Sequence, residues 1–301
     1  MPSWRATPVL VTGATGFIGA HLARRLETLG AEVHAVSRRP VGTGDWTWHT
    51  ADLAEPAAAS KLIREIRPRA VFHLASAVTG GRDVELVGPT MAGNLDGAVN
   101  LLTAVATEAP ETRVVLAGSV EEPRGEGTPS SPYAVAKWAA TGYARMFHKL
   151  YGVAVTVLRV AMVYGPAQPD AKKLLPYVIQ TLLRGEDPEL ASGTRLVDWV
   201  YVEDVVEAFL KAAQTEEAAG QVLDIGSGIQ VSIRDTVELL AELVGGNARP
   251  RFGAIPDRPL DAAQVSDPAV AGQVLGWQPT TTLSEGLRRT IAWYAAHGND
   301  R

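Results

Sequence analysis

The 301-residue chain has no cysteine, which removes disulfides, thiolate catalysis and cysteine-held metal centres from consideration. It has no apolar run of membrane length either, so nothing in it reads as a spanning helix. An excess of basic charge is also missing: the formal net charge is -5, which gives no general attraction to DNA or RNA, and nucleic acid is not an expected partner. The opening Met1-Pro-Ser-Trp-Arg-Ala-Thr7 leads into a strand without an apolar signal region or cleavage site, so the expectation is a cytoplasmic protein with no membrane partner. No metal site is expected. What remains, 46% hydrophobic and 20% charged residues, is a soluble globular composition, and the length allows about two domains.

The most informative stretch runs from Pro8 to Gly19. Val9, Leu10 and Val11 suit a central parallel strand, Ala20 to Leu29 reads as a helix with Leu22 and Leu26 on one face, and Gly13, Gly16 and Gly19 join the two. A strand passed to a helix by glycines leaves backbone N–H groups and the positive end of a helix dipole facing outward, and the absent side chains let a pyrophosphate approach. Gly13, Thr15, Gly16, Phe17, Ile18 and Gly19 are therefore the expected phosphate loop of a dinucleotide site, with a plain strand-turn-helix as the alternative. The first glycine spacing is one residue longer than in Gly-x-Gly-x-x-Gly. A second strand, Ala31 to Val36, ends in Ser37-Arg38-Arg39, where NAD-binding folds of this kind carry a carboxylate for the ribose hydroxyls. Two guanidiniums in its place favour NADP(H), with NAD(H) as the alternative; Arg38 is the first choice for a 2'-phosphate, Arg39 the second, and Ser37 lies beside them. The bland reading is a pair of solvated arginines.

Ala70 to Leu74 forms a buried strand followed by Ala75-Ser76-Ala77, so Leu74, Ala75 and Ser76 leave room for the cofactor; His73 reads as a core histidine. Asn94 to Val105 reads as a helix, with Asn94 either bracing the site or starting the helix. Thr112 to Leu116 returns to the sheet and leads through Ala117 to Ser119. Ser131 and Pro132 then start a helix that continues from Tyr133 to Leu150. Tyr133 and Lys137, four residues apart, share a face of it. An ammonium beside a phenol favours the phenolate, so Lys137 is expected to bring Tyr133 toward proton exchange near neutral pH, with Ser119 bonding the same substrate oxygen.

These ordered motifs resemble the extended short-chain dehydrogenases, the NAD-dependent epimerase and dehydratase family. The likeness runs through the glycine loop, His73-Leu74-Ala75, Asn94-Leu95-Asp96-Gly97, Ser119, Tyr133 with Lys137, Tyr164-Gly165-Pro166, Asp198 to Asp204, Asp224 to Gly228 and Leu275-Gly276-Trp277. It implies an α/β fold, a Rossmann-type doubly wound parallel sheet with a smaller, interwoven substrate-binding lobe. The dinucleotide-binding domain is expected at 1–165 and 198–227, and the substrate-binding lobe at 166–197 and 228–301. The sixth strand, Val153 to Val160, precedes the Tyr164-Gly165-Pro166 turn, and the chain is expected to re-enter the first lobe at Trp199 to Val202. The resemblance also implies that Asp52 and Leu53 touch the adenine, although Asp52 as sequence is only a turn residue or helix cap.

For substrate, the resemblance implies a nucleotide sugar whose diphosphate is held by Arg258; Arg195, two residues before Val197 and on the same side of an extended strand, is expected to join it, with Lys172 or Lys173 adding charge, and the alternative for the arginines is a salt bridge to Asp198 or Asp261. Met162 and Val197 stand where the family often carries Asn and Arg for that diphosphate. Val120 stands where its dehydratases carry an acid and Glu121 where they carry the base, so the resemblance implies Glu121 as a helper to Ser119, Tyr133 and Lys137; Gly118-Ser119-Val120-Glu121-Glu122 is also similar to the Gly-Ser-Ser-Glu-Glu of GDP-4-keto-6-deoxymannose reductases. The leading expectation is an NADPH-dependent 4-ketoreductase of a nucleotide-diphospho-4-keto-6-deoxysugar. An NAD-dependent 4-epimerase or 4,6-dehydratase is the alternative, and a non-catalytic dinucleotide sensor the third reading. A homodimer is implied by analogy with many relatives.

Overall fold

The computed structural model describes residues 3–41, 46–78, 81–125, 127–257 and 265–298. The run Pro-Val-Leu-Val-Thr becomes strand β1 (Pro8–Thr12), with Val9, Leu10 and Val11 fully buried. Helix α1 (Phe17–Thr28) follows. Its Leu22 and Leu26, one turn apart, are fully buried, each stabilising the fold by about 1.5–3 kcal/mol. The parallel strands β2 (Glu32–Ser37) and β3 (Thr47–Thr50) come next, then helix α2 (Pro56–Ile66) and strand β4 (Ala70–His73). A short helix α3 (Val87–Met91) continues through a π-helical segment at Ala92–Asp96 into α4 (Gly97–Glu108). Strand β5 (Arg113–Ser119), helix α5 (Pro132–Tyr151) and strand β6 (Val155–Val160) complete the series.

The seven-stranded sheet runs in the order Val222–Ile225, β6, β5, β4, β1, β2, β3. The pairs from β6 to β3 are all parallel. Because β1 pairs with β2 on one side and with β4 on the other, the strand order reverses there, and the carboxyl ends of β1 and β4 flank a topological switch point. Helices α2, α4 and α5 cover one face, where Ile63, Leu101, Leu102, Val105 and Phe147 pack on Leu10, Val71, Val114 and Val157. The sheet with these helices is the doubly wound Rossmann-type α/β arrangement expected from the sequence.

By internal contacts the chain divides into one unit of residues 1–160, 206–224 and 269–277 and another of 161–205, 225–268 and 278–301. In the second unit, strand Leu196–Tyr201 pairs in parallel with Met162–Tyr164 and antiparallel with Gln230–Ser232. The segment around Trp199, expected to re-enter the first lobe, thus belongs to the second unit and to a separate three-stranded sheet. Its core packs Tyr164, Ile179, Trp199, Leu240 and Leu287 together. Two buried carboxylates organise the turns around it. Asp198 accepts from the N–H groups of Ser227 (2.8 Å), Gly228 (3.2 Å) and Ser266 (3.1 Å) and from both serine hydroxyls. Asp204 accepts from Thr280 N–H (3.1 Å), Thr280 Oγ1 (2.7 Å) and Thr281 N–H (3.0 Å). Among the described residues no helix is long and apolar enough to cross a membrane.

Candidate active site

Between β1 and α1 the glycines are sterically required. Gly13 has φ +73°, and a Cβ there would lie 2.7 Å from the backbone of Leu74 and Ala75, so β1 and the segment after β4 approach each other as only glycine permits. At Gly19 a Cβ would run into the Gly13 carbonyl, and at Gly16 it would sit 3.1 Å from the same oxygen. Helix α1 starts at this loop with no side-chain cap and no acidic residue in its first turn. Its dipole therefore faces the loop without a neutralising charge, which suits an anion. Thr15 is exposed, while Phe17 and Ile18 are partly exposed on the first turn. The cradle fits the pyrophosphate of a nicotinamide dinucleotide.

On one side of this cradle, Ser37 ends β2 and Arg38 and Arg39 follow, both exposed; Arg39 N–H is 3.3 Å from Ser37 Oγ. Asp52 is also exposed, its carboxylate accepting from Ala54 N–H at 3.0 Å, and Leu53 is buried against Gly97. On the other side, Thr12 Oγ1 accepts from Ala75 N–H at 3.1 Å and lies 2.8 Å from His73 Nδ1. Burial, then the charge of Lys137, pulls the His73 pKa down to about 3, so this histidine is neutral and internal. Leu74, Ala75 and Ser76 are partly exposed past the strand end.

Asn94 settles which of its two roles applies. It is 1% exposed in the π-helical segment, and its Oδ1 accepts from Ala77 N–H (3.1 Å) and from the Ser76 hydroxyl. Its Nδ2 donates to Thr90 O (2.9 Å) and Ala77 O (3.2 Å). It therefore braces the segment after β4 rather than capping a helix, and the α-helix proper begins only at Gly97.

Helix α5 starts as its sequence predicts, with Ser131 Oγ accepting from Ala134 N–H at 3.1 Å and Pro132 at the first turn. It places Tyr133 close enough to the Ser119 and Ser76 hydroxyls for both to favour the ionised phenol. Lys137 Nζ, 5.8 Å from the Tyr133 ring centre, donates to Ala117 O at 2.9 Å. Burial pulls the Lys137 pKa down to about 8, with the Glu122 carboxylate opposing that shift. One expectation is corrected here: the phenol of Tyr133 is raised, not lowered. Burial is the main cause, the negative charge of exposed Glu121 adds to it, and the nearby Ser119 hydroxyl opposes it. Around Tyr133 the cost of ionising a desolvated phenol beside the Glu121 carboxylate exceeds what the neighbouring hydroxyls return.

The sequence reading overlooked Glu122. Its neighbour Glu121 is exposed, whereas Glu122 is 1% exposed and bonded to Ser119 and Thr141. The available signal was the nearby Gly118, which leaves space for a folded-back side chain. In the second unit, Lys173 precedes helix Leu174–Leu183 as its partly exposed N-cap. Arg195, also partly exposed, accepts from Ile233 N–H through its carbonyl at 3.0 Å. Arg258 lies outside the described residues. Among the described residues no group of three or more His, Asp or Glu could hold a metal ion.

A glycine cradle at the switch point, with Ser, Tyr and Lys gathered beyond the ends of β4 and β5, defines a dinucleotide-dependent oxidoreductase of the extended short-chain type. Residues 9–226 match the NAD dependent epimerase/dehydratase family, and the chain belongs to that family. It is 32% identical to UDP-glucose 4-epimerase of Mycolicibacterium smegmatis over 95% of this chain and 97% of that protein. Against dTDP-glucose 4,6-dehydratase of Xanthomonas campestris pv. campestris the identity is 28%, covering 95% and 92%. Among solved structures, UDP-glucose 4-epimerase of Thermotoga maritima with UDP-glucose superposes with a TM-score of 0.88 at 27% identity, covering 97% and 99%. The NAD complex of the Thermus thermophilus UDP-glucose 4-epimerase gives 0.83 at 28%, covering 95% and 98%.

Proposed function

We propose that the chain is a nucleotide-diphospho-sugar 4-epimerase in which Ser119, Tyr133 and Lys137 act on the sugar C4 hydroxyl. The observation that carries this reading is the gathering of Tyr133 beside Ser119 at the end of β5, with Lys137 Nζ 5.8 Å from the phenol ring centre and held by Ala117 O. When bound, a nicotinamide dinucleotide accepts and returns a hydride. Tyr133 takes the hydroxyl proton as the carbon is oxidised and gives it back on reduction, while Ser119 bonds the same oxygen through both steps. Lys137 supplies a positive charge beside the pair and a donor for the nicotinamide ribose. The raised phenol suits proton return better than proton removal, so the removal step depends on positive charge gathered around Tyr133. Similarity along the whole chain to UDP-glucose 4-epimerases supports epimerisation. Val120, at the place of the dehydratase acid, counts against 4,6-dehydration.

A second reading, NADPH-dependent 4-ketoreduction of a nucleotide-diphospho-4-keto-6-deoxysugar, is favoured by one feature. The end of β2 offers Arg38 and Arg39, both exposed, and no carboxylate. NADP(H) in place of NAD(H) goes with that reading. Under either one, Glu121 is a helper at the Tyr133 site, and Arg195, Arg258 and Lys173 are proposed for the substrate diphosphate. The test supplies UDP-galactose without added cofactor in one arm, and dTDP-4-keto-6-deoxyglucose with NADPH in the other. Epimer formation together with copurifying NAD supports the first reading, and stoichiometric NADPH oxidation the second. Turnover in neither arm, or full turnover by Tyr133→Phe, rejects the assignment.

We further propose a homodimer through α3 and α5. These helices pack side by side and leave Val87, Met91, Val135, Trp138 and Tyr143 exposed. Sedimentation of wild type against Trp138→Arg tests this, and a monomeric wild type would reject it.

A further inference from the structure

Glu122 carries a negative charge into the interior beside Ser119, where an apolar residue would pack at lower cost. Its two oxygens reach different elements. Oε1 accepts from the backbone N–H of Ser119 at 2.8 Å, and Oε2 accepts from the hydroxyl of Thr141 at 2.8 Å. Thr141 lies four residues beyond Lys137 and eight beyond Tyr133, on the same face of α5. One carboxylate thus joins the end of β5, which carries Ser119, to the helix that carries the other two groups. The turn closes reciprocally, since Glu122 N–H donates to Ser119 O at 3.1 Å. Glu121 N–H donates in turn to Ser119 Oγ at 3.1 Å, which fixes one side of that hydroxyl.

The space for this arrangement is specific. A Cβ at Gly118 would lie 2.6 Å from Glu122 Oε1 and 2.9 Å from Val157 Cγ1. Burial raises the Glu122 carboxyl above its usual range, and the bonds from Ser119 and Thr141, then the charges of Arg159 from β6 and Lys137 from α5, oppose that shift. Arg159 is itself held by the buried Asp224, which also pairs with Arg124.

We propose that Glu122 is a positioning residue: by binding Ser119 N–H and Thr141 Oγ1 at once, it sets the Ser119 hydroxyl against Tyr133 and Lys137. This rests on the reading of those three as the reacting set. Losing the tie lets the serine hydroxyl drift relative to the phenol, and a misplacement near 1 Å lowers turnover by up to about a hundredfold. Dinucleotide affinity is untouched, because the glycine cradle makes no use of Glu122. Glutamine can accept from Ser119 and donate to Thr141, so it keeps both bonds.

The experiment compares wild type, Glu122→Ala, Glu122→Gln, Thr141→Val and Tyr133→Phe. Turnover is measured on UDP-galactose and on dTDP-4-keto-6-deoxyglucose with NADPH, and NAD+ and NADP+ affinities by fluorescence titration. Expected for Glu122→Ala is a kcat lowered by roughly ten- to a hundredfold with dinucleotide Kd unchanged, and recovery of most of that loss in Glu122→Gln. Thr141→Val, which removes one hydroxyl at constant shape, should lower kcat in the same direction, and it carries the test with Glu122→Gln if the alanine variant does not fold. Wild-type kcat in the alanine or valine variant would overturn the proposal. So would loss of dinucleotide affinity in step with kcat, or failure of glutamine to recover turnover. Full activity of Tyr133→Phe, or an inactive wild type on both compounds, would instead reject the underlying assignment of the reacting set.

Discussion

Replacing Gly19 with alanine probes the dinucleotide cradle at its tightest point. The added methyl would run into the Gly13 carbonyl oxygen and come within 2.7 Å of its carbon. Carbon atoms in contact normally keep about 3.5–4.0 Å apart, so the shortfall is about 1 Å. The obstacle is backbone, so no side-chain rotation relieves it, and α1 must move away from the loop. Overpacking typically costs about 1–3 kcal/mol, and a backbone obstacle places this variant near the upper end, about 3 kcal/mol. In a domain of this size that is a fall in melting temperature of roughly 6–12 °C. Gly16→Ala is the internal control: its methyl would sit 3.1 Å from the same oxygen, a strain of a few tenths of an ångström. It should melt within about 3 °C of wild type. Scanning calorimetry without dinucleotide measures the packing cost, and repeating it with NAD+ or NADP+ measures the cradle. A saturating dinucleotide at about a hundred times Kd should add about 2.7 kcal/mol to wild type and far less to Gly19→Ala. A Gly19→Ala protein that melts and binds like wild type would refute the reasoning, as would a larger loss of melting temperature in Gly16→Ala.

Arg38→Ala should weaken NADP+ by about tenfold or more while leaving NAD+ affinity unchanged, because only the former offers a phosphate to a guanidinium fork; equal losses in titration would count against the assignment. Asp198→Ala leaves five donors without their buried acceptor and should cost about 3 kcal/mol or more in urea unfolding, with Asp198→Asn recovering part; an unchanged midpoint would be the contrary result. His73 has its pKa depressed to about 3 from the usual 6.5, so the unfolded chain takes up the proton first. Its contribution is complete above about pH 6.5 and is lost as pH falls toward 3, and denaturant titrations at about pH 7 and about pH 4.5 should show a shallower loss in His73→Gln than in wild type.

The elements that hold the site were legible where the information is contiguous. Val9 to Val11 followed by spaced glycines can scarcely form anything but a strand, a tight loop and a helix start. Ser131-Pro132 announces a helix from its own capping chemistry, which fixes Tyr133 and Lys137 on one face. Asn94 and Glu122 were not legible in the same way. A polar residue in a helical pattern and a second Glu in a loop read as ordinary until the acceptor or donor each one meets is known, and those partners come from Ser76, Ala77 and Thr141.

The order of strands and the state of the phenol are tertiary outcomes. Local pattern names β1 and β4 as buried strands, but only their pairing across the intervening β2, β3 and α2, Val9 with Ala70 and Thr12 with His73, opens the switch point where Gly13 meets the backbone of Leu74 and Ala75. The same holds for the strand around Trp199: Trp199 pairs with Met162, and Leu196 to Asp198 pair with the strand Gln230–Ser232. Spacing on a helix brought Lys137 near Tyr133, and desolvation by the surrounding fold, with the Glu121 charge, then raised the phenol. Amino-acid order determined the helices, loops and chemical groups of this protein because turn, cap and periodicity act over a few residues. Burial and strand partnership act over the whole chain, and they alone decided which groups meet and how readily each gives up a proton.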